Sequence, residues 1–367
     1  MKASSLELVL VSTPIGCLGS GRGGGVELTI CSLIKGLLGL GHKLVVLAPE
    51  GSILPSDCAG AEIKHVTGID QPSWQHRPAS APMIIPPDGV LLGLWEQALG
   101  LGKSSDAVIN FSYDWLPIWL TPWVEAELFH LISMGAVSQM MKSLISELSR
   151  SNHSRLAFHT YRQASDYDLS KSPVVVGNGF DLDNYEFQPQ GGGPLGWAGR
   201  VAPEKGLEDA VEVAAALGDR LMVWGLMEDI DYAKKIEATF PPGTIDWRGF
   251  LSTAELQREL GTCRALLNTP KWNEAYGNVV VEAMACGVPV VAYDRGGPGE
   301  LIESGITGLL VPSNDVDAMT KATSIVNEID RKECRHWVEK SASHDGFAQR
   351  VETWIKEGIK IKNAPND

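Results

Sequence analysis

The chain has 367 residues, 44% of them hydrophobic and 21% charged, with a formal net charge of −14. That length fits two domains of about 150–200 residues, each able to bury its own core. The excess of acid argues against a nucleic-acid binder, which needs a basic face to neutralise phosphates, and against broad adsorption to an anionic membrane.

Leu6–Val11 reads as a short apolar strand, followed by a glycine-rich loop, Gly16–Gly25. Apolar residues then recur at helical spacing over Val26–Leu40, Gly41-His42 ends that helix, and Lys43–Ala48 reads as the next strand. Strand, helix, strand in this order is a βαβ unit and implies a parallel sheet. Asp106–Phe111, Leu128–Ser133 and Arg155–His159 are further expected strands, with a helix over Ser138–Leu148. Residues 1–170 are therefore expected to form one doubly wound domain.

The stretch from Gln188 to Pro194, with three consecutive glycines, has a linker's composition. After it the alternation restarts with strands at Leu195–Ala198, Leu221–Trp224, Thr244–Arg248, Ala265–Asn268 and Val288–Ala292. Helices are expected between them at Leu207–Leu217, Tyr232–Thr239, Ala254–Gly261 and Asn278–Ala285. This second domain spans 171–345, and a last helix, 346–367, is expected to return to the first. The expected fold class is α/β: two doubly wound, Rossmann-like domains facing each other across a ligand cleft at the carboxyl ends of their strands.

Six cysteines (17, 31, 58, 263, 286 and 334) show no Cys-x-x-Cys spacing. Reduced thiols with neither disulfide nor metal are the expectation. The first apolar run is too short and too interrupted for a signal peptide. No apolar stretch approaches the ~20 residues of a membrane span, so a cytoplasmic protein without an integral membrane segment is expected.

An acidic chain that binds an anion must gather cations and backbone N–H groups at one spot. Residues 271–292 supply such a spot. The loop from Lys271 to Tyr276 leads into a helix expected to start at Gly277-Asn278 and to stop at Gly287. The backbone of Ala275, Tyr276, Gly277 and Asn278 then sits at a helix N-terminus, where N–H groups and the helix dipole favour an anion. Glu274 precedes that N-terminus, and Glu282 lies about 6–8 Å further along the axis at ~1.5 Å per residue. Two carboxylates so spaced are separate polar clamps, one for a sugar and one for a ribose diol, and not the close pair of a glycosidase. The matching cations, Arg200 and Lys205, follow the first strand of the second domain and can converge on a diphosphate.

Together these residues resemble the retaining glycosyltransferases of the GT-B fold, glycosyltransferase family 4 in particular. The family's Glu-x7-Glu pattern matches Glu274 and Glu282, and its Gly-Arg-x4-Lys-Gly pattern matches Gly199, Arg200, Lys205 and Gly206. The run Glu282–Ala292, then Gly296–Glu300, Gly305–Val311 and Asn178–Asp181 continue the likeness. The resemblance implies transfer of a sugar from a nucleotide-sugar donor, most often a UDP-sugar, to a hydroxyl acceptor. Retention at the anomeric centre, and no metal or other cofactor, are further implications. Residue by residue it places Glu282 on the nucleotide ribose and Glu274 on the donor sugar, with Phe250 and Leu251 against the base. Gly24 and Gly25 fit the family's Gly-Gly-x-Glu loop facing the donor phosphates, and His130 falls where the family has a histidine near the transferred sugar. Asp114, with Tyr113, Trp115, Trp119 and Trp123, is a candidate acceptor pocket.

Two other readings stay open on the same fold, a non-catalytic nucleotide-sugar binder and a sugar-nucleotide epimerase. Gly19, Gly21 and Gly24 also satisfy a dinucleotide-binding spacing, but the loop from Val11 to Gly19 is too long for the tight first turn that motif requires.

Overall fold

The structure, a computed structural model, describes residues 5–74 and 77–363. It divides into two compact units, residues 1–180 with 344–367, and residues 181–343.

The first unit alternates strands and helices in the order β1 Glu7–Val11, α1 Gly25–Gly39, β2 Lys43–Pro49, β3 Glu62–Val66, α2 Val90–Leu101 and β4 Ala107–Asn110. It continues with α3 Trp115–Leu120, β5 Leu128–Ile132, α4 Gln139–Asn152, β6 Leu156–Phe158, α5 Tyr161–Ala164 and β7 Val174–Val175. The seven strands pair in parallel in the order β3-β2-β1-β4-β5-β6-β7. Strands such as β1 and β4 are apolar on both faces because helices cover both sides of the sheet. β3 escapes a periodicity reading because, as an edge strand, only Val66 of its five residues is buried. β7 pairs with β6, which carries the first unit ten residues beyond the expected boundary at 170.

The second unit holds β8 Leu195–Ala198, α6 Leu207–Leu217, β9 Leu221–Trp224, α7 Ile230–Thr239, β10 Ile245–Gly249, α8 Thr253–Gly261 and β11 Ala265–Asn268. After them come α9 Asn278–Ala285, β12 Val290–Tyr293, α10 Pro298–Leu301, β13 Gly308–Val311, α11 Val316–Ile325 and α12 Arg331–Ser341. Its strands pair in parallel in the order β10-β9-β8-β11-β12-β13. On one face of this sheet a core runs from Leu195 and Trp197 through Val211 and Leu267 to Tyr293 and Val326.

The last helix, α13 His344–Asn363, packs in the first unit against α1. Gly36 makes the approach possible, since a Cβ there would lie 2.6 Å from the Ala348 Cβ and 2.7 Å from the His344 carbonyl. Trp354 meets Phe129 edge-on at 5.2 Å and donates its indole N–H to the Ser154 carbonyl. Residues 364–367, expected to continue this helix, lie outside the described residues.

The order in which strands are added reverses at one point in each sheet. In the first, β1 and β4 flank the switch; in the second, β8 and β11 do. Chains leaving the carboxyl ends of such strand pairs turn to opposite faces and leave a crevice, which is where doubly wound sheets bind ligands.

Candidate active site

Both sequence-derived loops of the second unit emerge at its switch point. Arg200 and Lys205 follow β8, and Lys271–Gly277 follow β11. Lys205 closes a short 3₁₀ turn, Pro203–Lys205, and its Nζ meets the Glu274 carboxylate. The same ammonium lies 5.3 Å from the centroid of the Trp272 ring. Glu274 is buried, so this pair is better shielded from solvent than an exposed ion pair. On the same chain segment, Asn268 Oδ1 at the end of β11 and Trp272 Nε1 in the loop after it are buried without a hydrogen-bond partner.

The Glu274 loop is held by backbone packing. Gly297 N–H donates to the Glu274 carbonyl at 2.8 Å. Gly296, at φ 54°, would carry a Cβ 2.7 Å from both the nitrogen and the oxygen of Glu274. Any side chain there would push the carboxylate's backbone away, which accounts for the paired glycines. α9 then starts at Asn278, with Gly277 at its cap in a left-handed conformation.

Glu282, the fifth residue of α9, is buried and accepts a hydrogen bond of 3.1 Å from the Tyr185 hydroxyl. Burial pushes its carboxyl up to about 7, an effect that the Tyr185 hydrogen bond opposes. Arg200 pairs with Glu204 at 3.0 Å and also with Glu228. Both expected cations are thus present at the switch point, each drawn to carboxylates of its own unit.

Beside these charges, at the carboxyl ends of β8, β9 and β10, lies a hollow of about 250 Å³ lined by Val201, Val223, Gly225, Trp247, Gly249 and Phe250. Phe250 is 56% exposed at its lip, and Leu251 is half-buried. An apolar slot with a flat aromatic wall suits a planar ring.

The first unit differs. Its glycine-rich loop folds around the Glu27 carboxylate, which accepts from the N–H groups of Gly19 at 2.7 Å, Gly21 at 3.1 Å and Gly23 at 2.6 Å. Gly19 and Gly21 reach this arrangement through positive φ, 89° and 76°. These N–H groups serve an internal anion, which is why the spacing resembles a dinucleotide fingerprint without forming one. Gly24, with φ 59°, caps α1, and Gly25 begins it.

His130 is wholly buried in β5. Asn110 turns its Oδ1 toward the Ser112 N–H and hydroxyl, so its Nδ2 donates to His130 Nδ1 at 3.1 Å. Nε2 then carries the proton and donates to Thr121 Oγ1 at 2.7 Å. Burial, with Arg155 adding to it, pushes the imidazole down to about 3.

The aromatic segment after β4 separates into two parts. Tyr113 is buried and Trp115 packs against its cluster; Trp119 and Trp123 are 50% and 72% exposed with ring centroids 6.2 Å apart. Asp114 is buried, caps α3 and accepts from Gln71 Nε2 at 2.5 Å; burial raises its carboxyl to about 6. The six cysteines are all free thiols. Among the described residues no group of three or more His, Cys, Asp or Glu is arranged to hold a metal ion, and no helix is long and apolar enough to cross a membrane.

Tyr185, Glu27 and Glu228 are the polar partners that the sequence reading did not single out. Glu27 stood inside a quoted motif; Tyr185 lies only four residues past Asp181.

Residues 195–344 match the family model "Glycosyl transferases group 1". A 2-deoxystreptamine N-acetyl-D-glucosaminyltransferase of Streptomyces fradiae is 35% identical over 142 residues, 36% of this chain and 34% of the relative. A GDP-mannose-dependent alpha-mannosyltransferase of Mycobacterium tuberculosis is 33% identical over 131 residues, 36% of this chain and 33% of the relative. The matched stretch spans about a third of the length of each relative. The fold resembles that of Anabaena HepE, solved in complex with UDP-glucose, with a TM-score of 0.71, 16% identity, and coverage of 96% of this chain and 100% of the other. Residues 195–344 are thus similar to the glycosyl transferases group 1 family, and the two parallel-sheet units have the GT-B fold.

Proposed function

We propose that this protein transfers a sugar from a nucleoside-diphosphate sugar, most simply a UDP-sugar, to a hydroxyl acceptor, with retention at the anomeric carbon and without a metal ion. The observation that carries this reading is the meeting of Lys205 and Glu274 at the switch point of the second sheet. It brings together one cation for a phosphate and one carboxylate for sugar hydroxyls. The base lies in the slot edged by Phe250 and Leu251, the ribose diol on Glu282, and the diphosphate between Arg200, Lys205 and the Ala275–Asn278 turn. A diphosphate entering there competes with Glu274, Glu204 and Glu228 for the two cations. Lys205 then stabilises the charge that develops on the leaving nucleotide, and Glu274 is released to accept hydroxyl hydrogens of the sugar.

Retention follows from a front-face reaction. The acceptor oxygen attacks on the side the diphosphate leaves, and the departing phosphate takes the acceptor's proton. No separate protein nucleophile is required. His130 acts through its network, by tying β5 to Asn110 and Thr121, and not as an acid or base, because both ring nitrogens are engaged and the imidazole stays neutral. The acceptor is held by the first unit around Asp114.

The test is nucleotide release from a panel of UDP-, GDP- and ADP-sugars, with and without acceptor alcohols. Release that depends on one donor and on the acceptor, with the product's anomeric configuration matching the donor's by NMR, supports the reading. Tight UDP binding without turnover of any donor would instead favour a non-catalytic nucleotide-sugar binder.

A further inference from the structure

The segment that opens the second unit is fastened to the helix carrying Glu282. Gln188 N–H donates to the Cys286 carbonyl at 3.0 Å, and Glu186 N–H donates to Gln257 Oε1 at 3.0 Å. Arg335 of α12 donates to the Tyr185 carbonyl at 2.8 Å and to the Ala285 carbonyl at 2.9 Å. Arg331 fixes the Gln188 carbonyl at 2.7 Å. This strap delivers the Tyr185 hydroxyl to Oε1 of Glu282. A buried carboxylate with one oxygen held by a fixed donor has its plane set before any ligand arrives.

We propose that Tyr185 is a positioning residue for nucleotide recognition: its hydroxyl orients the Glu282 carboxylate for the ribose diol. The proposal rests on the assignment of Glu282 to the ribose. A diol recognised by a carboxylate donates two hydrogens, so the acid form, which must spend one oxygen as a donor, binds it less well.

The surroundings make the hydroxyl decisive. On α9 the nearest titratable neighbour of Glu282 is Cys286, whose thiol burial pushes up to about 12, so it stays neutral. On the strap, Asp181 and Glu186 are further acids, and on α12 Arg331 and Arg335 spend donors on backbone carbonyls. Tyr185 itself is held well above its ordinary range by burial and the adjacent carboxylate, so it stays a donor. Tyr185 is the influence on Glu282 that acts against burial, and with its hydrogen bond in place the carboxyl stands at about 7.

The experiment is calorimetric titration of the full chain with UDP, GDP and ADP between pH 5.5 and 8.5, on wild type, Tyr185→Phe, Glu282→Gln and the double variant. Phe keeps the ring, and circular dichroism confirms folding. Wild-type affinity should rise with pH as Glu282 ionises. Tyr185→Phe should weaken binding by about 10–150-fold near neutrality, the value of one hydrogen bond to a charged group, and move the rise in affinity to higher pH. In the Glu282→Gln background the Tyr185→Phe change should have no further effect. An identical pH profile in wild type and Tyr185→Phe, or an equal loss at every pH that persists in the double variant, overturns the positioning role while leaving the donor site standing. Absence of binding of all three nucleotides to wild type overturns both.

Discussion

In the first unit the loop after β1 closes on its own carboxylate, Glu27, and the histidine in the middle of β5 satisfies both ring nitrogens from Asn110 and Thr121. In the second unit the loops after β8 and β11 leave a lysine against a carboxylate, with two buried polar atoms, at the end of β11 and in the loop after it, that no protein group satisfies. The sheets have the same parallel, switch-pointed plan, so the difference is not one of fold. It is one of where the charges are spent. Polar groups bonded internally stabilise and shape; polar groups paired at a crevice are available for exchange with a ligand.

The largest expected effect tests that division directly. Glu274→Ala should lower transfer by about 10³-fold, the scale of removing one preorganised polar group from a transition state, while UDP binding changes only a few-fold. Single-turnover assays with the active donor and calorimetry with UDP check the two halves; equal loss of both would place Glu274 on the nucleotide and not on the sugar.

On the other side of the comparison, His130→Ala should act on stability. A buried ring is lost and Asn110 and Thr121 each lose one partner, at a cost of about 2–4 kcal/mol by denaturant titration. Since the imidazole's folded pKa lies near 3, below its ordinary 6.5, the neutral form is the native one. Its contribution is complete above pH 6.5 and falls away as pH drops toward 3. A variant of wild-type stability with no activity would return His130 to the catalytic machinery.

Glu27→Ala should cost about 1–3 kcal/mol by leaving three loop N–H groups unsatisfied, with Glu27→Gln milder because one acceptor oxygen remains. Proteolysis within Gly16–Gly24 should rise in the alanine variant. Unchanged protection would mean that the loop holds its shape without the carboxylate.

The smallest effect is a pH trend in melting temperature. Glu282 is raised from 4.5 to about 7 in the folded chain, so the neutral acid is favoured there. Its stabilising contribution is complete below pH 4.5 and lost as pH rises through about 7. Glu282→Gln, neutral at every pH, should melt progressively above wild type between pH 5 and 8. A constant difference would mean that Glu282 ionises without penalty.

Much of this was legible in the residues. Alternating apolar runs and glycine stops located most strands of both sheets, and residue spacing singled out Glu274, Glu282, Arg200 and Lys205. Edge strand β3 was invisible because Glu62, Lys64 and His65 break its apolar pattern. The end of the first unit was misplaced by ten residues because Val174-Val175 looks the same whichever sheet it joins; only pairing with β6 decides. What stayed hidden were partners distant in sequence. Tyr185 finds Glu282 across 97 positions and Lys205 finds Glu274 across 69. Glu27 reads as one acid among many until the loop is seen wrapped around it.

The central claim is that the crevice between the loops after β8 and β11 holds a nucleoside diphosphate. Calorimetric titration of UDP into wild type and into the Arg200→Ala, Lys205→Ala double variant tests it most directly. The account predicts binding to wild type that weakens at least ~100-fold in the variant, since two charge-assisted contacts are lost. Equal affinity for both proteins, or binding of NAD with none of UDP, would contradict it.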